Sequence, residues 1–129
     1  MDDDDFLSAF ESGRLESFHH RDHVRLAWIY LREESGPAAL ERFSGALRRF
    51  AAAAGKPGLY HETITWAYLL LIHERMARAV ASSWNEFAAA NPDLLAWKPS
   101  VLDRYYRPET LASDLARGTF VMPDRVSAR

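Results

Sequence analysis

Three histidines stand at positions from which their ring nitrogens could act on one ligand. His20 and His23 lie in the segment FHHRDHVRLAWIYL, and their i, i+3 spacing places both on one face of a helix. His61 opens the apolar segment YHETITWAYLLLIHERMARAV and is followed by Glu62. Imidazole nitrogens and carboxylate oxygens bind divalent metals, and an imidazole near neutral pH can also donate a hydrogen bond or transfer a proton.

These residues are compatible with two kinds of binding site. In a metal site, His20, His23 and His61 would supply three ligands, and Glu62 or a water molecule would complete the shell. In an anion site, the partial positive charge at helix N-termini would hold a phosphate or carboxylate, and the histidines would act as donors or as general acid and base. In a third interpretation each histidine only caps a helix or satisfies a buried polar group.

The chain carries three long helical patterns that would position these side chains. They cover residues 20–34, 37–54 and 60–80, and they are separated by Gly36-Pro37 and by the break at 55–58. Because short connections favour antiparallel neighbours, the first and third helices should begin at the same end of a bundle. The imidazoles of His20, His23 and His61 are therefore expected to converge at one pole, within about 8 Å of one another, a span that one ion could bridge.

The third of these patterns predicts a central and largely enclosed helix. Apolar residues surround most of its circumference, and a narrow polar strip is expected at Thr63, Ala67, Glu74 and Arg78. His73, farther along the same helix, is expected to be a packing residue. The tryptophans are expected to lie in the core; they are Trp28, Trp66, Trp84 and Trp97.

The remaining sequence predicts shorter helices and no further domain. Asp2–Asp5 precede a short N-terminal helix that Gly13 ends, and four prolines divide the last third of the chain into short helical pieces. No pair of alternating strands is apparent. We therefore expect residues 1–129 to form one all-α domain, a compact bundle of three long helices plus several short C-terminal helices.

The composition excludes several classes of function. A net charge of −2 argues against nucleic-acid binding, and the absence of cysteine excludes disulfides, thiolate catalysis and cysteine-built metal sites. The acidic start MDDDD does not resemble a secretory signal, and no apolar run is long enough for a membrane span. A cytoplasmic protein without membrane or nucleic-acid partners is expected, and homo-oligomerisation is compatible with the sequence.

The patterns F-x-H-x-x-H and Y-H-E-T-I-T, with the tail WKPSVLDRYYRPETLASDLARGTFVMPDR, resemble a family of small bacterial all-helical proteins for which no activity is established. The resemblance covers nearly the whole chain and implies a recurring structural unit, not a reaction. It directs attention to the motif residues Phe18, His20, His23, Tyr60, His61, Glu62 and Thr63. Of these, Tyr60 and Thr63 are taken as candidate cofactor-binding residues.

The leading hypothesis is a His-lined pocket at one pole that binds a divalent metal or a small anionic molecule. The sequence leaves open whether such a pocket is catalytic, and it does not identify a substrate. The alternative, from another functional class, is a helical interaction or regulatory module with structural histidines.

Overall fold

The computed structural model describes residues 1–125, which form an all-α fold without strands. The helices are Asp3–Glu11 (α1), His20–Glu33 (α2), Gly36–Ala53 (α3), Glu62–Arg78 (α4), Trp84–Ala90 (α5), Pro92–Leu95 (α6), Pro108–Leu111 (α7) and Asp114–Gly118 (α8). Two 3₁₀ turns, Pro57–Leu59 and Val101–Arg104, lie between them. The expected class, three longer helices followed by short C-terminal ones, is confirmed.

Local polar contacts and glycine turns set the helix ends. The Asp2 side chain accepts a hydrogen bond from the backbone N–H of Asp5 at the start of α1, and the Ser35 hydroxyl caps α3 in the same way. The chain leaves α1 through Gly13 and leaves α3 through Gly55, both with φ of 74°, a conformation that other residues rarely adopt. The glycines of the sequence therefore end these helices where expected.

Helix α2 is the most enclosed helix among the described residues, whereas α4, which the sequence predicted to be largely enclosed, is exposed along part of its surface. Seven residues of α2 are buried: Val24, Leu26, Ala27, Trp28, Ile29, Tyr30 and Leu31. On α4 the expected polar strip is wrong at two positions, since Thr63 is fully buried and Ala67 is 7% exposed, whereas Leu70 is 45% exposed. The reason is that α8 and the chain after it pack against the side of α4 that the sequence pattern left for solvent.

The three long helices pack against one another with alternating direction. Residues from the start of α2, the end of α3 and the start of α4 line one common cavity, so α2 and α4 begin at the end where α3 finishes. The helix predicted over residues 60–80 is shorter at both ends. His61 is its N-cap and stands just before the helix, with an extended backbone, instead of inside the first turn.

The C-terminal third folds back over the start of α4. The Tyr106 hydroxyl donates to the carbonyl of Val121, and the Asp124 carboxylate accepts from the Arg107 backbone N–H and from the Thr110 hydroxyl. These bonds hold the irregular segment after α8 against the bundle. Among the described residues, no helix has both the length and the apolar character needed to cross a bilayer.

Candidate functional site

A cavity of about 770 Å³ opens at the pole where α2 and α4 begin. This volume is within the range of roughly 300–1,000 Å³ typical of small-molecule sites. Most of its lining is apolar and comes from α2, α3 and the loop before α2; the main contributors are Phe18, Val24, Phe43, Leu47, Phe50 and Ala51. The cavity therefore offers mainly a surface for an apolar body, with a small number of polar groups.

One wall of the cavity is a cluster of packed rings. Phe18 lies 4.8 Å from Phe10 and 4.9 Å from Phe50, measured between ring centroids. The imidazole of His23 packs against Phe18 at a centroid distance of 4.2 Å. The ring of Phe18, itself packed against Phe10 and Phe50, restricts the orientation of the His23 imidazole at the cavity wall.

The imidazole of His23 has no hydrogen-bond partner among residues 1–125, although it lines the cavity. No buried side-chain nitrogen or oxygen in that part of the chain lacks a partner, so an unpartnered nitrogen of His23 must face open space. Burial, together with the nearby His20, lowers the pKa of His23 to about 4. At neutral pH the ring is therefore uncharged and presents one N–H donor and one acceptor nitrogen.

His20 contacts the cavity through its ring but uses one nitrogen for the protein. Its Nε2–H donates to the carbonyl of Leu94 over 2.8 Å, and its ring lies 4.8 Å from that of Tyr68 and 5.1 Å from that of Trp97. Burial lowers the pKa of His20, and the bond to Leu94 opposes that shift. His20 thus joins the start of α2 to α6 and forms part of the cavity wall.

His61 lines the same cavity, but both of its ring nitrogens are already bonded. Nδ1 accepts the backbone N–H of Ile64 over 3.1 Å, and Nε2–H donates to the carbonyl of Leu111 over 2.7 Å. Burial lowers the pKa of His61, and the nearby Arg117 adds to the shift. All three histidines therefore line one cavity, but His61 has no lone pair left for a metal ion.

Glu62 is directed away from the cavity. Its carboxylate accepts hydrogen bonds from Arg48 at 2.8 Å, from Trp66 at 3.0 Å and from the hydroxyl of Tyr60. Glu62 begins α4, whereas Arg48 is on α3, so the carboxylate joins these two helices. The structure therefore does not bring Glu62 together with the three histidines.

The two candidate cofactor-binding residues have different surroundings. Tyr60 lines the cavity, but its hydroxyl donates to Glu62, and burial with this bond raises its pKa to about 12. Thr63 is not at the cavity. Its Oγ1 lies 2.7 Å from the carbonyl oxygen of Ala116 and 2.8 Å from that of Thr119, and it accepts the N–H of Val121. Thr63 is a fully buried anchor for the C-terminal segment.

The mouth of the cavity is formed by residues that the sequence did not single out as functional. Leu59 is 69% exposed and Trp97 is 49% exposed, although both line the cavity, and the exposed Arg117 lies there as well. Trp28 and Trp84 are core residues as expected, whereas Trp66 is half-buried and Trp97 is exposed. His73, which was expected to be a packing residue, is exposed as well. No signal in the sequence placed Arg117 here, because its position depends on how α8 packs against α4.

The structure does not assemble a metal-ligand group in the part of the chain that it describes. Within residues 1–125, no three histidine or carboxylate side chains are placed to hold an ion. Among the described residues, no aspartate or glutamate lines the cavity. The polar side chains that do line it include the uncharged imidazoles of His20, His23 and His61, the hydroxyls of Tyr60, Thr65 and Tyr68, and the guanidinium of Arg117. Because Arg117 carries a positive charge and no facing carboxylate in the described part of the chain offsets it, this set favours anions over cations.

Comparison with other proteins adds no assignment to this geometry. No protein-family model matches the sequence, and no curated protein or solved structure is significantly similar to it. The resemblance carried by the two histidine motifs stays a prediction.

Proposed function

We propose that this protein binds a small, largely apolar molecule in the cavity between α2, α3 and α4, and that His23 is its hydrogen-bond partner inside. The observation that carries the proposal is the His23 imidazole, which faces an apolar cavity without a partner. Because a ring nitrogen of His23 is accessible from the cavity, a polar atom of a bound molecule can reach it, and a polar group placed in an apolar lining fixes the orientation of a ligand. A ligand with one polar atom at that position would pair it.

The neighbouring polar side chains differ from His23 because they are bonded within the protein. His20 bonds Leu94, His61 bonds Leu111 and Ile64, and Tyr68 bonds Ser100. Each of these side chains joins separate parts of the fold. For His20 and His61 this is the structural role that the third interpretation of the histidines predicts. His23 makes no such connection within residues 1–125, so its ring nitrogens remain for a molecule in the cavity.

The size and shape of the cavity favour a ring system or a short chain. An apolar body that fills the space beside Phe18 and Phe50 gains on the order of 25 cal/mol for each Å² of apolar surface removed from water. The walls are set by packed rings, so little ordering of the protein is required on binding. Reversible binding, with or without a chemical step, is the function that this arrangement supports best.

Titration with the neutral fluorescent dye N-phenyl-1-naphthylamine tests the proposal. The native protein is expected to bind the dye saturably with enhanced fluorescence. Ala51→Phe, which fills the cavity from α3, should weaken binding at least about tenfold. Ala52→Phe, at an exposed position of the same helix outside the cavity, is the matched control and should bind as the native protein does.

Two results would overturn the proposal. One is the absence of saturable binding by the native protein, and the other is equal dye affinity in Ala51→Phe and Ala52→Phe. Circular dichroism of each variant establishes that it is folded before its affinity is compared. If Ala51→Phe does not fold, Leu47→Trp replaces it, because Leu47 also lines the cavity.

A further inference from the structure

The mouth of the cavity carries a cation that is not balanced by a nearby carboxylate. Arg117, on α8, lines the cavity at its exposed side. Within residues 1–125, no acidic side chain lines the cavity and no carboxylate forms an ion pair with Arg117. Since lowered pKa values keep His20, His23 and His61 neutral at pH 7, the guanidinium of Arg117 gives the mouth a positive charge that an incoming ligand meets.

The guanidinium of Arg117 is held in place by one of its nitrogens. Nη1 donates to the backbone carbonyl of Gly58 over 2.8 Å, which joins α8 to the 3₁₀ turn Pro57–Leu59 at the mouth. The edge formed by Nε and Nη2 makes no hydrogen bond within residues 1–125. Two parallel N–H groups on such an edge match the two oxygens of a carboxylate.

The polar groups of the cavity therefore lie at two depths. His23 is in the wall beside Phe18, whereas Arg117 is exposed at the mouth, close enough to His61 to influence its pKa. A charged group at the mouth keeps much of its hydration, so pairing it with Arg117 avoids the large penalty of burying a charge. An apolar group attached to it can still occupy the interior.

On the basis of the proposed function, we infer that the ligand is an amphipathic carboxylate, with its apolar body in the cavity and its carboxylate on the Nε–Nη2 edge of Arg117. This assigns a chemical class to the ligand and a specificity role to Arg117. The aromatic walls favour an aryl or alicyclic body.

The test compares a carboxylate with its neutral ester. 2-Naphthoate and methyl 2-naphthoate have the same ring body and compete for the cavity with N-phenyl-1-naphthylamine. At low ionic strength and about pH 7.5, the native protein should bind the carboxylate about three- to tenfold tighter than the ester. Raising the NaCl concentration to about 0.5 M should reduce this preference, because the pair at the mouth is screened.

Three variants distinguish the effect of the positive charge at residue 117 from an effect on the structure of the cavity. Arg117→Gln should lose the preference for the carboxylate while binding the ester with unchanged affinity. Arg117→Lys keeps the charge and should retain most of the preference. Arg78→Gln, an exposed arginine of α4 outside the cavity, should behave as the native protein does.

The outcomes distinguish this inference from the proposed function. If the dye binds but the native protein does not prefer 2-naphthoate, or if Arg117→Gln keeps the preference, the carboxylate assignment is overturned and the binding proposal stands. If the dye does not bind at all, the binding proposal fails, and the carboxylate assignment fails with it.

Discussion

The imidazole of His61 donates from Nε2 to the carbonyl oxygen of Leu111 over 2.7 Å, across 50 residues of sequence. Its other nitrogen accepts the backbone N–H of Ile64 in the first turn of α4. One side chain therefore caps the helix and attaches the C-terminal helices to it. Because both ring nitrogens are bonded within the protein, His61 lines the cavity without a free nitrogen to coordinate a metal ion.

Replacing His61 should reveal this structural role. His61→Ala removes a helix cap and leaves the carbonyl of Leu111 without its partner, so we expect unfolding to become easier by about 2–3 kcal/mol. His61→Asn can still cap α4 but cannot reach Leu111, and it should cost about half as much. Urea unfolding measures both. A loss below about 0.5 kcal/mol in His61→Ala would contradict the role described.

Thr63 supports the same region through its hydroxyl. Thr63→Val keeps the shape of the side chain but removes the group that bonds Ala116, Thr119 and Val121. Because buried backbone groups then lose their partner, we expect a loss of on the order of 2–3 kcal/mol in urea unfolding. Thr63→Ser keeps the hydroxyl and should lose less. Equal stability of Thr63→Val and the native protein would show that these bonds contribute nothing.

The lowered pKa of His23 predicts a dependence of stability on pH. The folded pKa is about 4 and the unfolded value is 6.5, so between these values the unfolded chain binds a proton that the folded chain does not. The contribution of His23 to the free energy of unfolding is therefore complete above about pH 6.5. It is lost as the pH falls toward 4, by at most on the order of 3 kcal/mol.

His20 and His61 act in the same direction, because their pKa values are also lowered. Urea unfolding at about pH 7.5 and 5.5 should therefore show a decrease at the lower pH that is smaller in His23→Phe but still present. An equal decrease in His23→Phe and the native protein would mean that His23 titrates normally.

A panel of divalent metals tests the metal site, which is one of the two kinds of binding site that the sequence left open. Because His61 has both nitrogens bonded and Glu62 is directed elsewhere, we expect Zn²⁺ and Ni²⁺ to leave the melting temperature of untagged protein unchanged. A metal-dependent rise at about pH 7.5 that disappears in His20→Ala and His61→Ala would restore the metal interpretation.

The sequence was sufficient to predict the all-α class and the three long helices. Gly13, Gly36-Pro37 and the break at 55–58 are local signals, and short connections left few arrangements for three helices. These predictions needed no knowledge of distant contacts.

The surroundings of particular side chains could not be predicted in the same way. Thr63 is buried only because the chain at 116–121 returns to it, and Glu62 is occupied only because Arg48 of α3 and Trp66 of α4 are adjacent to it. Arg117 reaches the cavity through the packing of α8, and this helix is too short to show a hydrophobic pattern in the sequence. Each of these facts depends on contacts between residues far apart in the sequence.

The central claim is that His23 bonds a molecule held in the cavity, and NMR of the histidine rings tests it most directly. The probe is 2-acetylnaphthalene, a neutral aromatic ketone whose oxygen can accept the imidazole N–H. On titration, the ring resonances of His23 should shift and saturate with the binding curve, while those of His73, which is exposed and outside the cavity, should not move. Saturable binding that leaves the His23 ring nitrogens unperturbed would contradict the claim.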